Sequence, residues 1–298
     1  MNIKKLISLS FILFVGLLSA QENANRFFYE LSFKPKKDSA KIDKVMTILD
    51  ITSTKSQYED FTGPAQDSIL KVKVEGMQKS GIFEDISKSM KMPKFSYKIQ
   101  KAYPDMKITV SDMISNRNAF GYEEPVKFDW KISNDKQMIG KYNTQKATTE
   151  FGGRKWTAWF STDLPFQDGP YKFYGLPGLI VKIEDDAKNY SWELKGNKQI
   201  KDWKELSYGE EMRRTMGYNP KVTIISKDKF DATAKVFRQD PFGEFRQYMT
   251  PEAMKMTMPG TQMTMGEFIK NQEKLIKDFL AANDNPIEIT ETAAEKKK

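Results

Sequence analysis

The sequence predicts an α+β fold: a curved antiparallel β-sheet (meander) with helices mainly in the C-terminal third. Three observations support this prediction. Apolar residues alternate with other residues from Phe27 to Phe33, which is the period of a half-buried strand. Gly152-Gly153 separates two β-type segments as a tight hairpin turn would. After Ser226 the apolar period becomes helical, and strands followed by helices are typical of α+β domains.

Other strands are predicted from alternating or β-branched segments between turn residues. The polar segment 185–189 is a predicted hairpin connection, and Tyr103-Pro104-Asp105 and Asn134-Asp135 are predicted turns. Strands that follow one another through hairpins form an antiparallel meander. The predicted strands are Val45–Thr52, Phe95–Ile99, Lys107–Val110, Val126–Ile132, Met138–Phe151, Arg154–Ser161, Leu179–Glu184 and Tyr190–Leu194.

Three helices are predicted. Residues 67–79 fit a strand or a helix, and Asp67 and Ser68 favour the helix as N-terminal residues. Ser226 predicts the start of a second helix that ends before Pro241. The strongest signal is Thr264 with Glu267 three residues later, a capping box. The third helix, closed by Asn283 and Pro286, carries a Glu273–Lys277 pair and an apolar stripe of Phe268, Ile269, Leu275, Ile276, Phe279 and Leu280.

The first twenty residues have the pattern of a secretory signal peptide. Lys4 and Lys5 precede the apolar segment Leu6–Leu18, and the small residues Ser19 and Ala20 follow it. The apolar segment is well short of the roughly 20 residues that span a bilayer. The sequence therefore predicts a signal peptide at 1–20, a single β-rich domain at 21–290 and a disordered charged tail at 291–298. It also predicts a periplasmic or secreted protein without a membrane span after cleavage.

The chain contains no histidine and no cysteine. Their absence excludes Ser-His-Asp and Cys-His catalysis, and metal sites built on imidazole. The 48 basic residues are scattered among 40 acidic ones, whereas nucleic-acid-binding proteins concentrate basic residues on one element. No nucleic-acid partner, no cofactor and no catalytic residue is therefore predicted.

The most distinctive segment is Gly175-Leu176-Pro177-Gly178-Leu179-Ile180. Pro177 and Gly178 predict a type II turn, with positive φ at the glycine. Two interpretations of the aromatic residues around it stay open, since aromatic side chains dominate both cores and interfaces. They either pack in the core, or they form a surface for a partner through Trp156, Trp159, Tyr171, Phe173 and Tyr174.

The same segment resembles the signature of the GLPGLI family of exported Bacteroidetes proteins. Further resemblance lies in Gly153-Arg154, Ala158-Trp159, Gly169-Pro170 and Asn285-Pro286-Ile287-Glu288. One departure is that many members carry a cysteine near the position of Thr144. The resemblance implies a β-rich exported protein, often encoded beside outer-membrane TonB-dependent receptors, and it implies no established activity.

Three functions remain open. A non-catalytic binding or accessory protein, with an envelope partner such as a TonB-dependent receptor, fits the predicted architecture best. A Cu(I)-binding protein is suggested by five methionines in Met254–Met265, because thioethers are soft ligands. A carboxylate-dependent hydrolase needs two suitably spaced acids, and the candidates are Asp163 and Asp168 near Arg154, or Glu123 and Glu124.

Overall fold

The computed structural model describes residues 22–289, except 83, 85, 87–89, 115–117, 216–218, 248 and 259–260. In that part of the chain, twelve strands form one open, mostly antiparallel sheet. In chain order they are β1 (Ala24–Phe33), β2 (Asp43–Ile51), β3 (Lys55–Asp60), β4 (Lys98–Ala102), β5 (Lys107–Asp112), β6 (Asn118–Glu124), β7 (Lys131–Ile139), β8 (Tyr142–Phe151), β9 (Arg154–Ser161), β10 (Leu179–Asp185), β11 (Tyr190–Ile200) and β12 (Asn219–Ile224).

The sheet consists of two antiparallel meanders that meet at β1. Strands β1 to β6 are neighbours in chain order, and so are β7 to β11. Antiparallel pairing of β1 with β11, from Ala24↔Ile200 to Phe33↔Tyr190, joins the two halves. Strand β12 extends the sheet beyond β6 as a parallel neighbour. The predicted antiparallel meander is therefore confirmed, with one parallel pair at its edge.

The two faces of the first meander differ because side chains alternate along each strand. One row of directly paired residues is apolar or aromatic and buried, and it lies on the core face: Phe27, Leu49, Tyr58, Ile99, Val110 and Tyr122. The next row along the strands is polar: Asp50, Gln57, Gln100 and Thr109. The polar face carries the cleft described below.

The helices are not confined to the C-terminal third, since α1 lies between β3 and β4. The predicted helix at 67–79 is confirmed and extended, and Gly81, with φ of 67°, ends it. The helices of the described residues are α1 (Thr62–Ser80), α2 (Tyr208–Thr215), α3 (Lys227–Gln239), α4 (Gly243–Arg246), α5 (Pro251–Lys255) and α6 (Met265–Ala282).

Both predicted N-caps are present. The Ser226 side chain accepts from Lys229 N, and Thr264 and Glu267 form the capping box of α6. Lys277 donates to Glu273 at 2.6 Å as predicted. The predicted apolar stripe of α6 is largely not a core face, because Ile269 is its buried residue and Leu275 is 49% exposed.

Three predicted strands and one predicted turn are wrong in part. Val126, Phe128 and Trp130 alternate but precede β7, and they pack against the loop at residues 164–178 instead of pairing. Asn134-Asp135 lies inside β7, where the register shifts between Ile132 and Lys136. The segment 138–151 is broken by a turn at Gly140, which has φ of 57°. At 95–99, the strand begins only at Lys98.

No helix among the described residues is long and apolar enough to cross a membrane. The predicted signal peptide at 1–20 and the predicted tail at 291–298 lie outside the described residues.

Candidate ligand-binding cleft

The distinctive loop at 168–180 lies on the core face of the sheet. Phe173 is fully buried, and its ring is 4.9 Å from that of Trp156 and 5.4 Å from that of Phe128. Trp130 Nε1 donates to the Tyr174 carbonyl at 2.8 Å, and the Tyr174 hydroxyl donates to the Val126 carbonyl. The loop therefore supplies much of the aromatic core between the two meanders.

A buried lysine holds this loop to the sheet. Lys101 of β4 is fully buried and donates to the carbonyls of Gly169 (2.8 Å), Tyr171 (3.1 Å) and Phe173 (3.3 Å). Its Nζ also lies 2.5 Å from Asp168 Oδ1. Burial lowers the pKa of Lys101, and the Asp168 carboxylate opposes that shift. Among the described residues, the ammonium group of Lys101 therefore bonds only to the loop, and the role of this lysine is structural.

The predicted type II turn at Pro177-Gly178 is wrong. Gly178 N donates to Leu176 O at 2.8 Å, which closes a three-residue γ-turn centred on Pro177. Leu179 N bonds Leu164 O instead of closing the four-residue turn. The positive φ belongs to Gly175, at 93°. Gly178 is required for space, since a β-carbon there would lie 2.6 Å from the carbonyl carbon of Ser161 and closer to its oxygen.

The hairpin turn at Gly152-Gly153 is confirmed and also receives the C-terminal segment. Both glycines have positive φ, at 60° and 72°. Ile289 N donates to Gly152 O at 2.8 Å, and Arg154 donates to the carbonyls of Pro286 and Ile287. The segments 152–154 and 285–288, which both carry the family resemblance and are far apart in the sequence, therefore form one structural unit.

The five candidate partner contacts are divided between the core and the surface. Trp156, Tyr171 and Phe173 are buried, at 1%, 7% and 0% exposure, so their side chains are core residues. Trp159 and Tyr174 are partly exposed. Trp159 lies on the opposite face of β9 from Trp156, between Lys146 and Lys182 of the neighbouring strands. Contact with a partner stays a prediction for these two.

The acids proposed for catalysis are separated. Asp168 is buried and bound by Lys101 and by the Tyr103 hydroxyl at 2.6 Å, whereas Asp163 is exposed. Glu123 and Glu124 point to opposite faces of β6, and their partners are Lys107 and Lys172. Neither pair faces a common substrate space.

A cleft of about 1160 Å³ opens on the polar face of β3 to β6. Segment 204–206, helix α2 and strand β12 form its other walls. Its cations are Lys98, Lys204, Arg213, Arg214 and Lys221, and its acids are Asp112, Glu205, Glu210 and Glu211. This volume is in the range of ligand sites in proteins.

Lys98 lies at the centre of the charge network of the cleft. Its Nζ is 2.6 Å from Glu210 Oε2 and 3.2 Å from Glu59 Oε2. Burial raises the pKa of Glu59, helped by the nearby Glu210. Burial also acts to raise the pKa of Glu210, but the charge of Lys98 and the Ser207 N–H outweigh it and lower that pKa. Two neighbouring acids therefore have pKa values displaced in opposite directions.

The third acid, Glu205, ties the outer wall to the sheet. Its carboxylate accepts from Lys55 at 2.5 Å and from Gln100 at 2.7 Å. Burial acts to raise the pKa of Glu205, but these bonds from Lys55 and Gln100 lower it. Gln57 donates to the Glu205 carbonyl and to Glu59. Segment 204–206 is thus fixed by polar side chains of β3 and β4.

Two cations of the cleft are exposed and lie outside the ion pairs that the structure describes. Glu210 and Glu205 are bound by lysines, and Glu211 is 3.4 Å from Arg214. Among the described residues, Lys204 and Arg213 have no ion-pair partner within 4.0 Å, and both are exposed. The accessible charge at the mouth of the cleft is therefore positive.

The sequence contained little that could identify this cleft. Its walls come from β3 to β6, segment 204–206, α2 and β12, and its bonded pair Lys98 and Glu210 are 112 residues apart in the sequence. The one usable signal was the polar alternation of Gln57, Glu59, Lys98 and Gln100, which marks a polar sheet face.

Comparisons with known proteins give one partial family match and weak structural matches. A family model described as "Protein of unknown function (Porph_ging)" matches residues 152–182, which include the Gly153-Arg154 turn and the distinctive loop. No match is found among curated proteins.

Two solved structures of PNGF-II match part of the chain. The form in the C2 space group has a TM-score of 0.49 and 16% identity, and the match covers 73% of this chain and 33% of that chain. The form in the P21 space group has a TM-score of 0.47 and 16% identity, with 72% and 34% covered. The chain thus spans about a third of the length of these structures.

Proposed function

We propose that the protein is a non-catalytic binding protein whose cleft takes up a negatively charged ligand. The observation that carries the proposal is the cleft of about 1160 Å³ with Lys204 and Arg213 exposed at its mouth. An anionic group that enters would meet cations, because Glu205, Glu210 and Glu211 are already bound by Lys55, Lys98 and Arg214. Burial raises the pKa of the fourth acid, Asp112, which favours its neutral form. Fixed positive charge at a concave site attracts anionic ligands and raises their association rate.

The proposal includes a setting in the cell envelope. The signal-peptide pattern at 1–20 supports export, and the sequence at 175–180 supports membership of the GLPGLI family. A TonB-dependent receptor of the outer membrane is the proposed partner. Trp159, a partly exposed tryptophan between two lysines, is the proposed contact, because tryptophan is enriched at binding hot spots.

Affinity capture from the native envelope tests the cleft. The Lys204→Glu/Arg213→Glu variant reverses the charge at the mouth, and Lys136→Glu, on the exposed face of β7, makes the same kind of change far from it. We expect the first variant to lose the captured ligand and the second to retain it. Equal capture of the ligand by the wild type and by both variants would show that the cleft is not the binding site.

A carboxylate-dependent hydrolase is a second candidate, favoured by the opposed pKa shifts of Glu59 and Glu210. Such a split marks acid and base pairs in active sites. Lys98 stands against it, because its Nζ is bonded to both carboxylates, where a substrate oxygen would have to enter. Turnover of a glycoside that is abolished by both Glu59→Gln and Glu210→Gln would replace the binding proposal.

A further inference from the structure

Residues 256–258 and 263–265 of the methionine-rich segment, between α5 and α6, pair as the two arms of a short hairpin. Met258 N donates to Met263 O at 2.9 Å, and Met265 N donates to Met256 O at 2.8 Å. Between these bonds, Thr257 and Thr264 form an antiparallel bridge. The register therefore places Met256 opposite Met265, and Met258 opposite Met263.

This register gathers the thioethers on one face. Thr257 and Thr264 are directly opposed, so their neighbours on both strands point to the other face. Side chains opposed across an antiparallel pair have β-carbons about 4.5–5.5 Å apart. Methionine has three rotatable side-chain bonds, so sulfurs of two such pairs can converge on one point.

The hairpin is held in place by both helices. The Thr264–Glu267 capping box fixes the second strand at the start of α6. Gly266 lets α6 approach α5, since a β-carbon there would lie 3.1 Å from Met254 O. Asn271 of α6 donates to Met263 Sδ at 3.8 Å. The methionine face is open to solvent, with Met256 66% exposed and Met258, Met263 and Met265 partly exposed.

The ligand type decides which ion fits. Thioethers are soft donors that select Cu(I) over Zn²⁺, Mg²⁺ and Ca²⁺, which need nitrogen, thiolate or oxygen ligands. No group of three or more acidic residues among the described residues could hold a metal ion, and the whole chain lacks histidine and cysteine. We propose that Met256, Met258 and Met263, with Met265 at the edge of the face, bind one Cu(I) ion. This site is separate from the cleft and independent of the function proposed for it.

Anaerobic isothermal titration of the untagged protein with Cu(I), supplied as its weakly bound acetonitrile complex, tests the proposal. We expect one Cu(I) to bind per protein molecule at micromolar concentration, and X-ray absorption to show sulfur ligands. Zn²⁺ in the same titration should not bind. Since the chain lacks histidine and cysteine, no stronger protein ligand for Cu(I) competes with the methionines.

Two triple variants complete the experiment. Met256→Leu/Met258→Leu/Met263→Leu removes the donors while conserving volume and should lose Cu(I) binding. Met46→Leu/Met113→Leu/Met138→Leu changes three exposed methionines elsewhere and should bind as the wild type does. Circular dichroism and thermal melting check that both variants are folded. Failure of the folded wild type to bind at micromolar protein, or unchanged binding by the first variant, would overturn the proposal.

Discussion

At the scale of single residues, the distinctive loop depends on a glycine that leaves space and on a lysine that supplies bonds. Gly178 lies against the Ser161 carbonyl with no room for a β-carbon. Lys101 meets three loop carbonyls and Asp168 in a fully buried position. Sequence reasoning assigned Gly178 a conformational role, because Pro-Gly is the usual signal of a type II turn.

Gly178→Ala should destabilise the protein by about 1–3 kcal/mol or more, because the added methyl group forces the backbone apart. Two control variants separate steric crowding from backbone strain, since no atom lies within 4 Å of the β-carbon added at Gly140 or at Gly196. Gly140→Ala introduces only the strain of a positive φ, and Gly196→Ala introduces neither effect. Gly140→Ala should cost about 1 kcal/mol, and Gly196→Ala should stay within about 0.5 kcal/mol. Urea melts measure all three. A loss for Gly178→Ala no larger than for Gly196→Ala would contradict the steric explanation.

Lys101→Met should destabilise the protein by about 3–5 kcal/mol, because it leaves Asp168 as a buried, unpaired charge. Hydrogen exchange should also become faster at Gly169–Phe173, whose carbonyls lose their donor. Lys44→Met is the control, because Lys44 pairs with Glu30 while its side chain is 62% exposed. Its effect should stay within about 1 kcal/mol. Similar losses for the two variants would mean that Lys101 does not hold the loop.

At the scale of elements, local signals predicted what depends on local contacts. The alternation of β1, the Gly152-Gly153 turn and the Thr264–Glu267 capping box are all present. Strand β3 was missed because its sequence, KSQYED, is mostly polar, yet most of it is buried between the core and the cleft network. Val126–Trp130 was assigned to a strand because packing against a loop produces the same alternation as pairing.

Strand β9 allows a matched comparison of its two faces. Trp156→Ala should cost roughly 3–5 kcal/mol, because the side chain is 1% exposed and packs against Phe173. Trp159→Ala should cost about 1 kcal/mol or less, as expected of a partly exposed residue. If Trp159 is the partner contact, its variant should also lose capture of the receptor at an unchanged melting temperature. A large loss of stability at Trp159 would assign it to the structure.

At the scale of the whole molecule, the cleft depends on residues from β3 to β6 of the first meander and from the segment after β11. Lys98, between Glu59 and Glu210, is the shared partner. The cleft could not be predicted from the sequence, because only the assembled sheet brings α2 over β4 and β5. Its electrostatics, however, lead to a definite pH dependence.

Lys98→Met should cost about 3–5 kcal/mol at neutral pH, because Glu59 and Glu210 then lose the cation that bonds to both of them. Without Lys98, the pKa of Glu59 should rise further above its ordinary value, and the pKa of Glu210 should rise as well, because the charge that lowers both is gone. Since a raised carboxyl pKa means that the folded state retains protons, the deficit should grow as pH rises through 4.5 and shrink below it. Urea melts across this range measure the effect.

Lys107→Met, which removes an exposed partner of Glu123, is the control and should show little loss at any pH. A deficit of Lys98→Met that is independent of pH would show that Lys98 contributes by packing alone.

The pairing of β1 with β11 determines the order in which the molecule can assemble. Each meander can form from strands that are neighbours in the sequence. The two halves can join only when β11 pairs with β1, which brings Ile200 to Ala24. Contacts between distant segments carry a high loop-closure cost and form slowly. Until β11 arrives, one edge of β1 exposes unpaired backbone groups that can pair with another chain. A substitution that slows the pairing of β1 with β11 would therefore lower the yield of folded protein through aggregation. The cleft of the molecules that do fold would be unchanged.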